Sequence, residues 1–544
     1  MRRLIAVLPR WTDLAMMRQR PGANLLAGAT VAIVALPLAL GFGVASGLGA
    51  AAGLVTAVVA GVLAALFGGS NLQVSGPTGA MTVVIVPIVA GHGPGAVLTV
   101  GLLAGLILLG LSFVGAGRFV KFIPITVIEG FTAGIAAVIL LQQIPAALGV
   151  EAVAENVAVL AWQAVGTFLS NPHWAEPLLA VAVIVVMLAG ARWRPGLPFS
   201  LLAVAGATAV TVGFGIGVET IGALPATIPA PSLSFLDISA IPTLAGAAIA
   251  VAALAALESL LSATVADGMT TGQRHDPDRE LFGQGIANVV APMFGGVAAT
   301  AAIARTAVNV RSGATTRLAA ISHAVILGLV MLAAAPLVAH IPLAALAGVL
   351  IATAIRMVEI RALATLGRST RSDGVVMVST AIATVALDLI AAVLIGLIIA
   401  GALALRRVSL SASLDRVPLD GDHDAREGAL LAEHIVAYRL DGPLFFAATH
   451  RFLSGLDEVA DVRFVILRMS RVTTVDASGA LVLREAIEAL EARGIVVMLS
   501  GVKGEHRKVL GALGVLDRLT ELNRVFPDTT HAIAEARSLL PHRT

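Results

Sequence analysis

Leu36-Pro37-Leu38-Ala39-Leu40-Gly41-Phe42-Gly43-Val44-Ala45-Ser46-Gly47 comes back 221 residues later as Leu257-Glu258-Ser259-Leu260-Leu261-Ser262-Ala263-Thr264-Val265-Ala266-Asp267-Gly268. Ile123-Pro124 with Gly130 returns as Ile341-Pro342 with Gly348, at an offset of 218. Two matches at nearly one spacing read as one half of an apolar region copied into the other. Duplicated halves around a site are the build of a secondary transporter.

The chain has 544 residues, 58% of them hydrophobic and 13% charged. Its mean hydropathy of +0.93 lies far from a soluble average. Spans are read near 24–45, 50–68, 77–90, 95–116, 122–146, 176–191, 197–214, 241–264, 280–296, 302–313, 316–336, 341–357, 374–387 and 389–405. Segments of about 20 residues cross roughly 30 Å of hydrocarbon. The first repeat covers about 24–214 and the second about 241–405, within a transmembrane domain of 24–407. There is no cysteine and hence no disulfide. Residues 1–23 carry arginines but no small-residue cleavage site, so they are read as a cytoplasmic segment and not a removable signal.

No Lys or Arg occurs between Arg20 and Arg118, between Lys121 and Arg192, or between Arg194 and Arg274. With the N-terminus inside, the loops bearing Arg118, Lys121, Arg192, Arg194, Arg274, Arg279, Arg311, Arg317, Arg361, Arg368 and Arg371 are all cytoplasmic. The external loops 147–175 and 215–240 hold Glu151, Glu155, Glu219 and Asp237 but no Lys or Arg. This is the positive-inside pattern. It also explains the pI near 9.5 without nucleic acid as a partner. Two sevens enter the membrane in opposite senses, so the halves are inverted.

Spans 3 and 10 are too short for a bilayer, and both follow helix-unfriendly runs, Gly68-Gly69-Ser70-Asn71-Leu72-Gln73-Val74-Ser75-Gly76-Pro77 and Pro292-Met293-Phe294-Gly295-Gly296. Irregular backbone at membrane depth survives only in a protein interior or along a cavity. Pro77 suits a first helical position. Two half-helices starting near the midplane would each aim about half a positive charge at one spot, which makes an anion site. The bland alternative is a pair of tight turns between packed helices.

Ionisable residues inside the spans are functional candidates. Glu258 lies in mid-span 8, where the first repeat has Pro37. Arg305 opens span 10 and is read as contacting an anion, neutralising Glu258, or capping carbonyls. Glu129 is assigned to packing or gating, and Asp388 to a solvated external end. Deprotonated, Glu258 opposes anion entry; protonated, it lets the helix ends and Arg305 act unopposed, so proton and anion load together.

Ala35-Leu36-Pro37-Leu38-Ala39-Leu40-Gly41-Phe42, Ser75-Gly76-Pro77-Thr78, Glu258-Ser259-Leu260-Leu261-Ser262 and Ile303-Ala304-Arg305-Thr306-Ala307 together resemble bacterial sulfate permease (SulP) family transporters. Val265-Ala266-Asp267-Gly268-Met269 and Gly283-Gln284-Gly285-Ile286-Ala287-Asn288 resemble them too. The resemblance implies an all-α polytopic membrane protein of fourteen spans in a seven-plus-seven inverted repeat, shared with nucleobase transporters. It also implies homodimers in the inner (plasma) membrane and an elevator motion of a core (spans 1–4 and 8–11) against a gate (spans 5–7 and 12–14). Carried over by position, the anion pocket would be Leu38, Phe42, Thr78, Gly79, Ala80, Ala304, Arg305 and Thr306, with Glu258 as the coupling residue. Some members use sodium and an aspartate in span 8; Glu258 favours a proton and leaves sodium open.

After Arg406-Arg407 the chain changes character. Residues 408–432 read as a polar linker and 433–541 as a small cytoplasmic α/β domain, with strands near 435–440, 464–467 and 495–499 and helices near 449–459, 477–493 and 506–513. Val475-Asp476-Ala477-Ser478-Gly479 resembles the strand-to-helix junction of STAS domains, in whose soluble relatives the equivalent serine is phosphorylated. Here Asp476 and Ser478 are read first as helix-opening residues, with a regulatory role for Ser478 second. The domain is assigned to folding, dimer geometry or docking of a cytoplasmic protein.

No nucleophile, metal spacing or phosphate loop supports an enzyme, and no cofactor is expected beyond the coupling ion. Proton-coupled anion uptake leads; sodium coupling, exchange, a channel-like leak and a sensor are the alternatives. Sulfate comes first only as the family's commonest cargo, with bicarbonate and dicarboxylates such as fumarate or succinate beside it.

Overall fold

Long runs of Ala, Gly, Val and Leu can satisfy their backbone in hydrocarbon only by coiling on themselves, and the computed structural model is helical through that region. It describes all residues except 1–6, 9–10, 155, 195–196, 226, 388, 418–433, 447–461 and 541–544. Glu155, Asp388, the expected helix 449–459 and most of the linker 408–432 therefore lie outside the described residues. The chain divides into two compact units, Met1–Ile398 and Ile399–Thr544.

The first unit contains α1 (Pro21–Ala45), α2 (Ala50–Phe67), β1 (Ser75–Gly76), α3 (Gly79–Val114), α4 (Ile125–Gln142), α5 (Val157–Ser170), α6 (Ala175–Trp193) and α7 (Phe199–Phe214). It continues with α8 (Ile241–Met269), α9 (Pro277–Val290), β2 (Thr300–Ala301), α10 (Ile303–Arg311), α11 (Leu318–Ala333), α12 (Leu343–Met357), α13 (Ile360–Ser369) and α14 (Arg371–Ala386), and α15 (Leu389–Leu410) runs on into the second unit. Among the described residues eight helices are long and apolar enough to cross a membrane. Spans 3 and 4 are the two parts of α3, which breaks at Gly93 (φ 80°), a left-handed conformation that glycine adopts without strain.

Helices α1, α2, α3, α8, α9, α10 and α11 pack on one another, and α4, α6, α7, α12 and α14 form a second set. The two sets meet where α1 touches α12 and α3 touches α4. The packing is reciprocal: α1 on α11 is matched by α8 on α3, α2 on α11 by α9 on α3, and α4 on α14 by α12 on α6. Small residues let backbones approach closely. A side chain on Gly53 of α2 would collide with the Ala39 carbonyl of α1.

α5 and α13 stand outside the expected spans, as does the short helix Trp11–Met16. α5 occupies the stretch read as external loop 147–175; Asn156 caps it, its Oδ1 accepting from Ala158 N at 2.9 Å. α13 follows span 12.

The second unit carries a five-stranded sheet in the order β3 (Ser413–Val417), β4 (Ile435–Leu444), β5 (Phe464–Val475), β6 (Val496–Ser500), β7 (Val525–Phe526). β3 pairs antiparallel and the other neighbours pair parallel. Val465, Leu467, Val497 and Leu499 pack with Leu483, Ile487 and Leu490 of α16 (Ala477–Ala492), while Ile466 and Met498 pack with Ala532 and Ala536 of α19 (Thr529–Ser538). Between them lie α17 (Gly504–Ala512) and α18 (Val515–Glu521). Ser413–Val417 falls inside the stretch read as a linker and is instead the edge strand. Leu414 is its residue packed against the core of the sheet.

Candidate functional site

β1 and β2 are two residues each, and they pair antiparallel, Ser75 opposite Ala301 and Gly76 opposite Thr300. Ala302 N donates to Val74 O at 3.0 Å, extending the ladder. This crossing satisfies backbone that would otherwise be orphaned in the interior. Each strand ends at a helix start, α3 from one arm and α10 from the other, so the two free N-termini of the sequence reading arise from one joint.

Buried polar side chains hold the joint. Asn288 of α9 donates to Ala299 O at 2.9 Å and accepts from Ala299 N at 2.8 Å. Gln284, one turn earlier, donates to Ser75 Oγ at 2.7 Å and to Glu280 Oε1 at 3.0 Å. Gln73 Nε2 donates to Ser259 O at 2.9 Å, and Asn309 Nδ2 to Leu72 O at 2.7 Å. Ser259 Oγ and Thr300 Oγ1 are 2.9 Å apart. None of these was chosen as a site residue from sequence. Glu280, Gln284 and Asn288 at four-residue intervals, one polar face on an apolar helix, are the signal that finds them.

At the α3 arm, Thr78 caps the helix, its Oγ1 accepting from Met81 N at 3.4 Å and donating to Glu258 Oε2 at 3.0 Å. Glu258 is half-buried. Gly79 and Ala80 fill the first turn, buried; a Cβ on Gly79 would meet Phe42 at 3.1 Å and collide with Ile139 of α4. The site therefore borders the second helix set. Leu38 is buried one turn before Phe42 on α1.

At the α10 arm, Ala302 provides no side-chain cap, and Ala304 is exposed. Arg305 is 1% exposed, and its Nη2 donates to Pro77 O at 2.7 Å. The guanidinium thus braces the opposite arm. Thr306, expected in the pocket, has its hydroxyl elsewhere: Oγ1 accepts from Val74 N at 3.1 Å and from Ser262 Oγ at 3.0 Å. The structure brings Phe42, Thr78, Gly79, Glu258 and Arg305 together around the crossing; Leu38 and Ala80 stand one turn or less behind, and Ala304 at the open end.

A model of the sulfate permease family matches residues 22–380. The chain belongs to the sulfate permease family. A STAS domain model matches residues 430–532. The chain is 35% identical over 514 residues to the putative sulfate transporter YvdB of Bacillus subtilis, covering 91% of this chain and 94% of that one. It is 32% identical over 540 residues to the bicarbonate transporter BicA of Synechocystis sp., covering 96% and 95%. The solved transmembrane domain of a cyanobacterial BicA superposes with a TM-score of 0.65 at 33% identity, covering 69% of this chain and 98% of that domain. SLC26A9 superposes with a TM-score of 0.82 at 16% identity, covering 99% and 94%, a likeness of fold alone. This sulfate permease family member is thus a multi-pass membrane protein of an anion-transporter family whose relatives are named for sulfate and bicarbonate.

The STAS junction has a cleaner division of labour than its sequence suggests. Asp476 caps α16, its Oδ1 accepting from Gly479 N at 2.7 Å. Ser478 is exposed, and no hydrogen bond of its hydroxyl is found among the described residues. The expectation that Ser478 helps satisfy the helix start is therefore corrected: only Asp476 does so.

Proposed function

We propose that the chain is a proton-coupled secondary transporter of a small oxyanion, seated between the N-termini of α3 and α10. One observation carries the reading: the Glu258 carboxylate takes a hydrogen bond from Thr78, the residue that caps α3. An ionised carboxylate already answers the partial positive charge of that helix end. A substrate anion arriving there meets a like charge until Glu258 is protonated, so proton and anion load together. Thr78, Gly79, Ala80 and Ala304 would supply the donors, Phe42 and Leu38 the apolar wall, and Arg305 and Thr306 the frame.

Two helix ends contribute about half a charge each, and Arg305 keeps its full charge while donating to Pro77 O, its buried Nη1 having no hydrogen-bond partner among the described residues. That sum admits a monovalent or a divalent oxyanion, so bicarbonate and sulfate both stay in range. Inverted seven-span repeats are supported by the reciprocal packing, and an elevator motion by a site on one helix set that faces the other. The homodimer, the plasma-membrane address with both termini cytoplasmic, a protein partner at the STAS domain and a regulatory Ser478 belong to the same proposal. The orientation is supported by Asp13, Gly117, Asp278, Arg279 and Arg317, which meet on one face.

The test is uptake of labelled bicarbonate, sulfate and fumarate into proteoliposomes with an inward proton gradient, an inward sodium gradient or neither. One anion should accumulate only with the proton gradient, and Glu258→Gln should exchange that anion without responding to the gradient. A gradient response intact in Glu258→Gln, or accumulation driven by sodium alone, defeats the reading.

A further inference from the structure

Eight residues before the start of α1 at Pro21, Asp13 sits in the short helix Trp11–Met16, and the Asp13 carboxylate is buried against Arg279, Oδ2 to Nη2 at 2.6 Å. It lines a cavity of about 170 Å³ together with Gly69, Asn71, Arg274, Asp276, Arg279 and Arg317. At roughly 30 Å³ per water, that is room for a tetrahedral oxyanion and its first waters.

The lining is built for an anion. Arg279 has a side chain only 6% exposed, and its Nε has no hydrogen-bond partner. Arg317 is held rigid, donating from Nη1 to Ala65 O in the last turn of α2 at 2.9 Å and to Gly68 O just beyond it at 2.6 Å, and from Nε to Asn71 Oδ1 at 2.9 Å. Arg274 is exposed and without an ion pair among the described residues. Of the two carboxylates, Asp276 is committed to the start of α9, accepting from Asp278 N at 3.1 Å and Arg279 N at 3.2 Å. Asp13 alone comes from outside the packed helices, on the short helix Trp11–Met16. Its tether reaches α1 through Arg20, a non-glycine residue in the left-handed region (φ 48°, ψ 53°), a conformation that costs free energy to hold. Removing Asp13 would leave three guanidinium groups facing one engaged carboxylate.

We infer that this cavity is a second anion site, distinct from the crossing, that takes a phosphate-type oxyanion, with the Asp13 carboxylate as its tethered stand-in. Planar guanidinium groups with parallel N–H donors are matched to such oxygens. An oxyanion that enters displaces Asp13 and frees the N-terminal segment.

The full-length protein in nanodiscs of neutral lipid is digested briefly with trypsin, and cleavage after the exposed Arg18 is followed by mass spectrometry. Inorganic phosphate is titrated against chloride at constant ionic strength. Phosphate should accelerate release of the segment several-fold. Arg274→Gln, at an exposed residue, should raise the half-effective phosphate concentration about fivefold, the worth of one exposed ion pair near 1 kcal/mol. Asp13→Asn should release the segment rapidly without phosphate. Acceleration in neutral lipid identifies a free oxyanion; acceleration only after phosphatidylglycerol is added, again blunted by Arg274→Gln, identifies a headgroup. Equal release in phosphate, chloride and phosphatidylglycerol overturns the proposal, and so does a response that Arg274→Gln leaves unmoved.

Discussion

The starts of α3 and α10 grow from two arms of one ladder, yet they are finished differently. At α3, Thr78 caps the first turn and binds Glu258, and the next two residues are buried. At α10 the cap position is Ala302, with no side-chain acceptor, and Ala304 faces open space. Arg305 reaches from the second arm to the carbonyl of Pro77 on the first. One helix end has a side-chain cap bonded to an acid, and the other has no side-chain cap. On the reading proposed above, the difference would divide the work: the titrating carboxylate sits at the α3 end, and the cargo, held between both ends, leans more on the α10 end.

The clamps behind the two arms differ as well, and breaking them should give the largest effect. Asn288 satisfies both backbone groups of Ala299 on the α10 arm, whereas Gln284 on the α3 arm bonds only the side chains of Ser75 and Glu280. Asn288→Ala leaves two buried backbone groups unpaired, at about 1–3 kcal/mol each. Thermal unfolding of the purified protein should show a loss of about 2–5 kcal/mol for Asn288→Ala and a clearly smaller one for Gln284→Ala. Equal losses would mean that the two arms are held alike.

Next in size is the α3 cap itself. Thr78→Ala removes a cap worth about 1 kcal/mol and a hydrogen bond to a charged group worth about 1.5 kcal/mol. Gradient-driven uptake should fall about tenfold, since 1.4 kcal/mol is a factor of ten, while Thr78→Ser, which keeps both bonds, stays near the parent. If serine fails as alanine does, the methyl group and not the hydroxyl matters, and the pairing with Glu258 carries no coupling.

Much of this contrast was legible in the residues. Short spans after Gly-rich turns locate both helix ends, and Glu258 and Thr78, which the sequence marks separately, meet in one hydrogen bond. The pairing of Ser75–Gly76 with Thr300–Ala301 was not legible, because a two-residue strand has no period to read. The use of Arg305 was legible only as one of three roles: capping a carbonyl stood beside binding an anion and neutralising Glu258, and only the fold brings Pro77 O within its reach. The engagement of the Thr306 hydroxyl with Val74 N and Ser262 Oγ was hidden for a related reason, since a hydroxyl beside an anion site serves backbone as readily as substrate. The polar face of α9 lay in plain view as Glu280, Gln284 and Asn288, but it gains meaning only once the crossing lies against it. α5 hid because its 14 residues fall short of a span.

The smallest expected effect is also the sharpest test of the division of labour. Ala302 is half-buried in extended conformation (φ −102°, ψ 118°) just ahead of α10, the geometry a capping serine adopts. Ala302→Ser would place a hydroxyl where it accepts from an N–H of the first turn, and by capping alone it should stabilise the protein by about 0.5–1 kcal/mol. The same hydroxyl takes a donor that the cargo needs. Stability should therefore rise while the half-saturating anion concentration rises about two- to fivefold, in proportion to that free energy, and the response to a proton gradient should be unaltered because Glu258 sits at the other end. A stabilised protein with unchanged half-saturation would show that the α10 end binds no anion, leaving the cargo to compete with Glu258 at Thr78 directly.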